Sequence, residues 1–160
     1  MNLSILCVGK LKEPYLKQAQ AEYEKRLKGY LKLEILEAAD EKAPEHLSAA
    51  EREAVLEKEG QSLIKALESR KGTVIALCID GKEMDSVRFS ETLSKAFAEG
   101  GSRVNFLIGG SNGLSEEAVR RADLRLSISP MTFPHQLCRI ILLEQIYRAM
   151  KILKHEPYHK

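Results

Sequence analysis

The sequence predicts an α/β fold in which a mainly parallel sheet is flanked by helices. Short apolar segments alternate with longer amphipathic ones, and glycine or proline stands at most of the junctions. The segment Thr73–Ile79 is β-branched and apolar on both faces, which is typical of a central parallel strand. A chain of 160 residues is long enough to bury one real core, so we expect a single domain over residues 1–160.

The first half of the chain is expected to hold two strands and two helices. Apolar residues three and four positions apart follow Pro14, a residue tolerated in the first turn of a helix. Ser48 and Glu51 have the spacing of a capping box, which begins a helix. The predicted elements are a strand at Leu3–Val8, a helix from Glu13 to Lys28, a strand around Leu31–Ile35, a loop at Asp40–Leu47 and a helix from Ser48 to about Leu67.

The pattern in the second half of the chain predicts three more strands and an unusually apolar last helix. Its elements are a strand at Thr73–Ile79, a turn at Asp80-Gly81, a helix at Ser86–Ala98, a strand at Arg103–Ile108, a short helix from Ser115, a strand at Leu124–Ile128, a loop at Pro130–Phe133 and a helix from Pro134 to about Lys154. The last helix is apolar over more than the stripe of roughly 100° that a surface helix needs. It must therefore bury two sides, which favours a homodimer over a helix enclosed within one subunit.

Charge and composition narrow the function classes. The net charge of +2 is divided into +4 over residues 1–33, −6 over 34–69, −1 over 70–119 and +5 over 120–160. Two basic chain ends that fold together would suit a phosphate backbone, although solvated helix faces explain the same charges. There is no apolar run of 18 residues and no basic segment before the first apolar stretch, so we expect a cytoplasmic protein without a membrane span. The three cysteines are expected to be reduced.

Three predicted strand ends carry the features of a ligand site. These ends are 77–81, 108–113 and 127–133, and ligands of open parallel sheets bind beyond the carboxyl ends of the strands. Gly109-Gly110 permits close approach of a ligand to the backbone, although a glycine turn of this kind is often only a turn. His155 and His159 lie four apart, but Pro157 between them rules out a regular helical metal pair, so we expect no metal.

Four motifs resemble one family. They are Val8-Gly9-Lys10-Leu11-Lys12, Phe106-Leu107-Ile108-Gly109-Gly110-Ser111-Asn112-Gly113, Ser127-Ile128-Ser129-Pro130-Met131-Thr132-Phe133-Pro134-His135-Gln136 and Pro157-Tyr158-His159-Lys160. Together they resemble the ribosomal RNA large-subunit methyltransferase H family of the SPOUT superfamily, in length and order along essentially the whole chain. The resemblance implies a C-terminal trefoil knot, a homodimer, S-adenosylmethionine as methyl donor, and methylation of N3 of a pseudouridine in the 23S rRNA of assembled ribosomes.

The resemblance also implies site residues. The cofactor pocket would be lined by Leu77, Gly109, Ile128, Ser129, Pro130, Met131, Thr132 and Phe133. From their side-chain chemistry, we expect His159 and Tyr158 to orient or deprotonate the base and Arg139 to stabilise its charge, with His135 as a further candidate. We expect phosphate contacts from Lys10, Lys12, Lys25, Arg26 and Lys28. The choice of proton acceptor stays open, as does the question whether the tail acts in its own subunit or across the dimer.

Two other interpretations remain. A non-catalytic ribosome-associated RNA-binding protein would explain the basic chain ends, but it gives no reason for three ligand-like strand ends. A small α/β enzyme for a nucleotide or phosphorylated metabolite would use the glycine turn, but it gives no role to the basic ends. For the protein itself we expect the ribosome and its 23S rRNA as partners, and neither DNA nor a membrane.

Overall fold

A computed structural model describes residues 1–42 and 44–160 of the chain. Its elements are β1 (Asn2–Val8), α1 (Pro14–Leu27), β2 (Lys32–Ala38), α2 (Ala49–Glu68), β3 (Thr73–Lys82), α3 (Ser86–Glu99), β4 (Arg103–Ile108), α4 (Glu116–Arg120), β5 (Leu124–Leu126) and α5 (His135–Leu153). The strands form one sheet in the order β2-β1-β4-β3-β5, and every pairing is parallel. The predicted α/β class is confirmed.

Helices cover both faces of the sheet because alternate residues of each strand point to opposite sides. In β1, Leu3, Ile5 and Cys7 pack into the larger core with α1, α3 and α5. The intervening Leu6 and Val8 pack against α2. Since all strands run the same way, their carboxyl ends lie along one edge of the sheet and their amino ends along the other.

Local sequence signals explain where the helices begin. Ser48 accepts a hydrogen bond from the backbone N–H of Glu51, and the Glu51 carboxylate accepts one from the Ser48 N–H, which confirms the capping box. Ser115 caps α4 through the N–H of Ala118, and both first-turn glutamates suit the helix dipole. The predicted loop at 40–47 connects β2 to α2, although residue 43 lies outside the described residues.

Two predictions at the carboxyl edge are wrong. Asp80-Gly81 is not a turn between elements but part of β3, which continues to Lys82. Leu77 and Lys82 are both register partners of Leu126, so the four residues between them form an irregular bulge. The last strand also ends at Leu126 rather than Ile128, and the Ser127 hydroxyl that follows it lies 3.0 Å from Ile79 O.

The long helix α5 lies between α1 and α3 on one face of the sheet. Its inner side buries Leu142, Leu143, Ile146 and Met150, whereas Leu137 remains 37% exposed. No helix of the described residues has the length and hydropathy required to cross a membrane. The trefoil knot and the homodimer stay predictions.

Among residues 1–42 and 44–160, Arg139 is the one buried cation. It is 1% exposed, and its guanidinium donates to Glu37 Oε2 at 2.8 Å, to Gln20 Oε1 at 3.1 Å and to Gly9 O at 2.9 Å. These contacts join α5 to β2, to α1 and to the end of β1.

Removal of this guanidinium should destabilise the protein. We expect Arg139→Ala to lower the free energy of unfolding by about 3 kcal/mol, because a half-buried carboxylate and a buried carbonyl lose their partner. Urea unfolding measures the difference. The control is Arg88→Ala, which removes an exposed pair with Glu91 and should cost less than about 0.5 kcal/mol. Equal losses in the two variants would contradict the structural role of Arg139.

Candidate functional site

A cavity of about 800 Å³ opens at the carboxyl edge of the sheet. The three predicted strand ends converge on it, which confirms that part of the sequence analysis. Of the residues proposed for the cofactor pocket, the cavity is lined by Leu77, Gly109, Ile128, Ser129, Met131, Thr132 and Phe133. Pro130 is not part of the lining, and its role stays a prediction. A cavity of this volume is within the range that small-molecule sites occupy.

The glycine turn after β4 forms one wall because its backbone folds back tightly. A Cβ on Gly109 would lie 2.2 Å from the carbonyl oxygen of Gly113, so no other residue fits at this position without moving the backbone. The turn is closed by a hydrogen bond from Gly113 N–H to Gly110 O at 3.0 Å. The glycine at position 109 is therefore required by the tight return of the backbone that forms this wall.

The loop between β5 and α5 forms a second wall. Ser129 Oγ accepts from the N–H of Met131 at 3.0 Å, a local turn that Pro130 stabilises by restricting the backbone. Ser127 Oγ lies 3.0 Å from Ile79 O, which fastens the loop to the bulge of β3. Met131 is 72% exposed although it is apolar, so its side chain is available to a bound molecule.

His135 is the titratable candidate that lies on the cavity wall. It is half-buried at the first turn of α5, and its Nε2 lies 3.6 Å from where a Cβ on Gly9 would stand. Burial lowers the pKa of this imidazole, and the nearby charge of Arg139 lowers it further. The side chain is therefore neutral near pH 7 and can accept a proton or a hydrogen bond.

Arg139 does not line the cavity. Its two terminal nitrogens donate to Glu37, Gln20 and Gly9, and its Nε is buried without a partner among the described residues, so its placement away from the cavity does not support the expectation that it stabilises charge on a reacting base. The geometry instead gives Arg139 a positioning role, because it fixes the helix turn that follows His135.

The C-terminal tail is packed against α5 and does not fray. Tyr158 donates to Glu144 Oε1 at 3.1 Å, and its ring lies edge-on to Tyr147 with centroids 4.9 Å apart. Arg148 stacks over the Tyr158 ring at 4.8 Å and lies 3.3 Å from His159 Nδ1. Burial and Glu144 raise the pKa of Tyr158, so its hydroxyl is a proton donor at neutral pH.

The structure does not bring the tail to the cavity of its own chain. Glu144 and Arg148, which hold Tyr158, lie nine and thirteen residues after His135, or about 14 and 20 Å along the helix axis. No residue after Cys138 lines the cavity. The four catalytic candidates therefore do not form one cluster within a subunit.

The five predicted phosphate contacts fall into two groups. Lys10 and Lys12 lie beside the cavity, where the N–H of Lys12 donates to Gln136 Oε1 at 3.1 Å. Lys25, Arg26 and Lys28 lie at the other end of α1, about 20 Å away along its axis. Arg26 pairs with Glu22 at 3.0 Å and lies over the Tyr23 and Tyr147 rings. The two groups are close along the chain, and their closeness in sequence did not indicate that the fold separates them.

Sequence reasoning missed the charged rim of the cavity. Its members are Arg52, Asp80, Glu116, Arg120 and Arg125. Arg125 pairs with Asp80 at 3.2 Å across the bulge. Because these residues come from two helices and two strands, only the tertiary fold brings them together. Over residues 1–42 and 44–160, no three His, Cys, Asp or Glu side chains are grouped as a metal site would require.

The fold and the site define an α/β domain with a ligand cavity formed by strand-end loops. A family model described as "Predicted SPOUT methyltransferase" matches residues 1–159. A solved structure described as a probable methylase family protein from Haemophilus influenzae covers 99% of this chain and 70% of its own, with a TM-score of 0.57 and 11% identity. That likeness concerns the fold alone.

Curated relatives narrow the class further. Proteins named ribosomal RNA large subunit methyltransferase H from Bacillus pumilus and Clostridioides difficile are 52% and 54% identical over 160 residues, which is the full length of both chains in each comparison. The chain belongs to the ribosomal RNA large subunit methyltransferase H family of SPOUT methyltransferases, as its motifs predicted.

The lowered pKa of His135 predicts a pH dependence of stability. Between its folded pKa and the ordinary value of about 6.5, the unfolded chain binds more protons, so stability is lost as the pH falls through this window. We expect His135→Gln to lose less unfolding free energy than the wild type between pH 7.5 and 5.5, measured in urea. An NMR titration should place the His135 midpoint lower in folded protein than in urea. A midpoint at or above the unfolded value would contradict the assignment.

Proposed function

We propose that the protein transfers a methyl group from S-adenosylmethionine to N3 of a pseudouridine in 23S rRNA, within assembled ribosomes in the cytoplasm. The supporting observation is the cavity at the carboxyl edge, which is lined by seven of the eight residues that the family motifs propose for the donor. Membership of the rRNA methyltransferase H family supports the RNA substrate.

The residues of the cavity fit this donor. Gly109 and the turn that it permits line the cavity, and Leu77, Ile128 and Phe133 supply apolar walls for the adenine and methylene parts of the donor. When bound, S-adenosylmethionine supplies an activated methyl group on a sulfonium. No covalent bond to the protein is needed, so the chain must orient the base and handle its N3 proton.

The candidates for the RNA base have complementary proton roles. His135, kept neutral by burial, can accept the N3 proton or a hydrogen bond at the cavity wall. Tyr158 keeps its proton and donates it to Glu144, so its hydroxyl oxygen can accept a hydrogen bond from an N–H group of the base. His159, beside Arg148, is a second candidate acceptor. Lys10 and Lys12 lie close enough to the cavity to contact phosphates near the target nucleotide.

A homodimer completes the site in this proposal. The tail of each chain is held far from its own cavity by the contacts of Tyr158 with Glu144 and Tyr147. A second copy, docked against the partly exposed side of α5 that carries Leu137, would bring its own tail near this cavity. The dimer therefore explains why the catalytic candidates are divided between two places in one chain.

The reaction can be tested directly. The purified protein is incubated with labelled S-adenosylmethionine and ribosomes from cells that lack this methyltransferase, and the product is mapped by mass spectrometry. We expect one methyl group on N3 of a pseudouridine in the large-subunit RNA. A parallel reaction with free 23S rRNA tests whether the transfer requires assembled ribosomes. Ribosome binding without transfer would instead support the non-catalytic RNA-binding protein.

The divided site predicts complementation between two inactive variants. Gly109→Ala should lose donor binding through the clash with Gly113 O, and removal of residues 158–160 should lose transfer while donor binding is kept. Heterodimers formed by mixing the two contain one site with both an intact cavity and an intact tail. We expect them to recover roughly a quarter to a half of the wild-type rate if the tail acts across the dimer. The assay is methyl transfer after co-refolding, with each variant alone as control.

Two results would contradict this arrangement. Normal transfer by the truncated protein would remove the tail from the reaction. Mixed dimers that stay inactive, with both chains shown to be present by tag exchange, would place the tail and the cavity of one chain in the same site.

A further inference from the structure

A second crevice, of about 300 Å³, lies at the amino edge of the sheet, away from the donor cavity. It is formed where four separate segments meet: the starts of β1, β2 and β4, and the connection between α2 and β3. Four cations line it, namely Lys32, Arg70, Lys71 and Arg103, with Glu34 as the one carboxylate among its lining residues.

The floor of the crevice is a polar row across the sheet. Ser4 of β1 is the register partner of both Glu34 in β2 and Asn105 in β4, so the three side chains share one face. Farther along the same face the sheet is apolar, with Leu6, Val8 and Leu107 packed under α2. Asn105 is only 2% exposed, an unusual position for an amide in the middle of a strand.

The buried amide fixes the loop that carries two of the cations. Asn105 Nδ2 donates to Lys71 O at 3.1 Å. The next residue, Gly72, has a φ of +119° and lies so close to β4 that a Cβ would stand 2.4 Å from Arg103 O. The backbone of Lys71 is therefore held directly against the start of β4, where Arg103 lies.

Three of the four cations are free to bind an anion. Arg70 is used within the fold, since it donates to Ala66 O at 2.7 Å and pairs with Glu34 at 3.0 Å. This pair also neutralises Glu34. Within the described part of the chain, Lys32, Lys71 and Arg103 have no carboxylate within 4.0 Å. Three uncompensated charges therefore converge on one rigid, polar concavity.

We propose that this crevice binds backbone phosphates of the RNA on which the protein acts, at nucleotides that flank the modified base. The proposal rests on the proposed function for the identity of the RNA. Arg103 and Ile108, which lines the donor cavity, are the two ends of β4 and lie about 17 Å apart along the strand. A small metabolite cannot occupy both places at once, whereas a polynucleotide of a few residues reaches that far.

The crevice is set apart from the phosphate contacts expected from sequence. Lys10 and Lys12 lie at the opposite edge of the sheet, and Lys25 to Lys28 lie at the end of α1. None of these five lines the crevice. Contacts at both edges would fix the orientation of the RNA along the strands, because phosphate contacts set register while the cavity selects the base.

The test is a pair of charge-matched double variants. Lys71→Gln with Arg103→Gln removes two crevice charges and leaves Asn105, Gly72 and Arg70 in place. The control, Arg88→Gln with Lys95→Gln, removes two charges from the outer surface of α3, where both side chains are more than 60% exposed. Binding to unmodified ribosomes is measured between 50 and 300 mM KCl, roughly the range over which phosphate contacts are screened. Donor binding and methyl transfer are followed in the same preparations.

We expect the crevice variant to bind ribosomes about ten-fold more weakly, with a slope of log affinity against log salt that is shallower by about 1.4 for two lost contacts. Its KM for ribosomes should rise while kcat at saturation and donor affinity stay unchanged. The control should match the wild type in each measurement. A crevice variant with wild-type affinity and slope, or a control with the same loss, would overturn the proposal.

The same data separate this proposal from the one on which it rests. If the wild type transfers no methyl group to ribosomes, the proposed reaction fails. The salt dependence of ribosome binding then tests, by itself, whether the crevice contacts RNA. If the wild type transfers normally and the crevice variant is indistinguishable from it, the reaction stands and the crevice is not an RNA contact.

Discussion

The site depends on one buried interaction, the contact of the Arg139 guanidinium with Glu37 and Gly9. A guanidinium in a protein core is costly unless it is paired, and the two terminal nitrogens of Arg139 donate to Gln20, Glu37 and Gly9, whereas its buried Nε has no partner among the described residues. Glu37 lies in β2, and Gly9 follows β1, so this cost is offset only when α5 begins at the carboxyl edge. His135 lies one turn earlier, and the cavity loop ends directly before it. The position of Arg139 therefore sets the position of both His135 and the cavity loop.

The sequence carried enough information for the sheet but not for the details of its carboxyl edge. Leu3–Val8 and Arg103–Ile108 are apolar runs too short for helices, which is why both strands were predicted correctly. Asp80-Gly81 has the composition of a turn, yet it belongs to a bulge that exists only because β5 pairs with both of its sides. Such irregular pairing depends on tertiary contacts, and no local signal reports it.

The same limit applies to charged residues. Arg139 looks like any arginine of an amphipathic helix, and arginine is rarely buried, so sequence reasoning assigned it to the reaction and not to the core. The strand ends were predicted from general rules for parallel sheets, and most residues assigned to the cavity came from the family motifs. Neither the general rules nor the family motifs indicated the crevice at the amino edge. Its cations Lys32, Lys71 and Arg103 belong to no motif and meet only through the strand order and the close approach of Gly72 to β4.

The length of α5 connects the remaining features. Nineteen helical residues span about 28 Å, so a chain that enters the helix at the carboxyl edge leaves it near the opposite one. Tyr158 then turns back only as far as Glu144, where Tyr147 and Arg148 hold it. A rigid tail of this kind cannot reach its own cavity without losing these contacts. In the proposed homodimer, two copies related by a two-fold axis across α5 would run in opposite directions, and each would place its ordered tail toward the cavity of the other. Preorganisation of the tail within one subunit would then be an advantage, because the proposed catalytic groups would reach the partner already oriented.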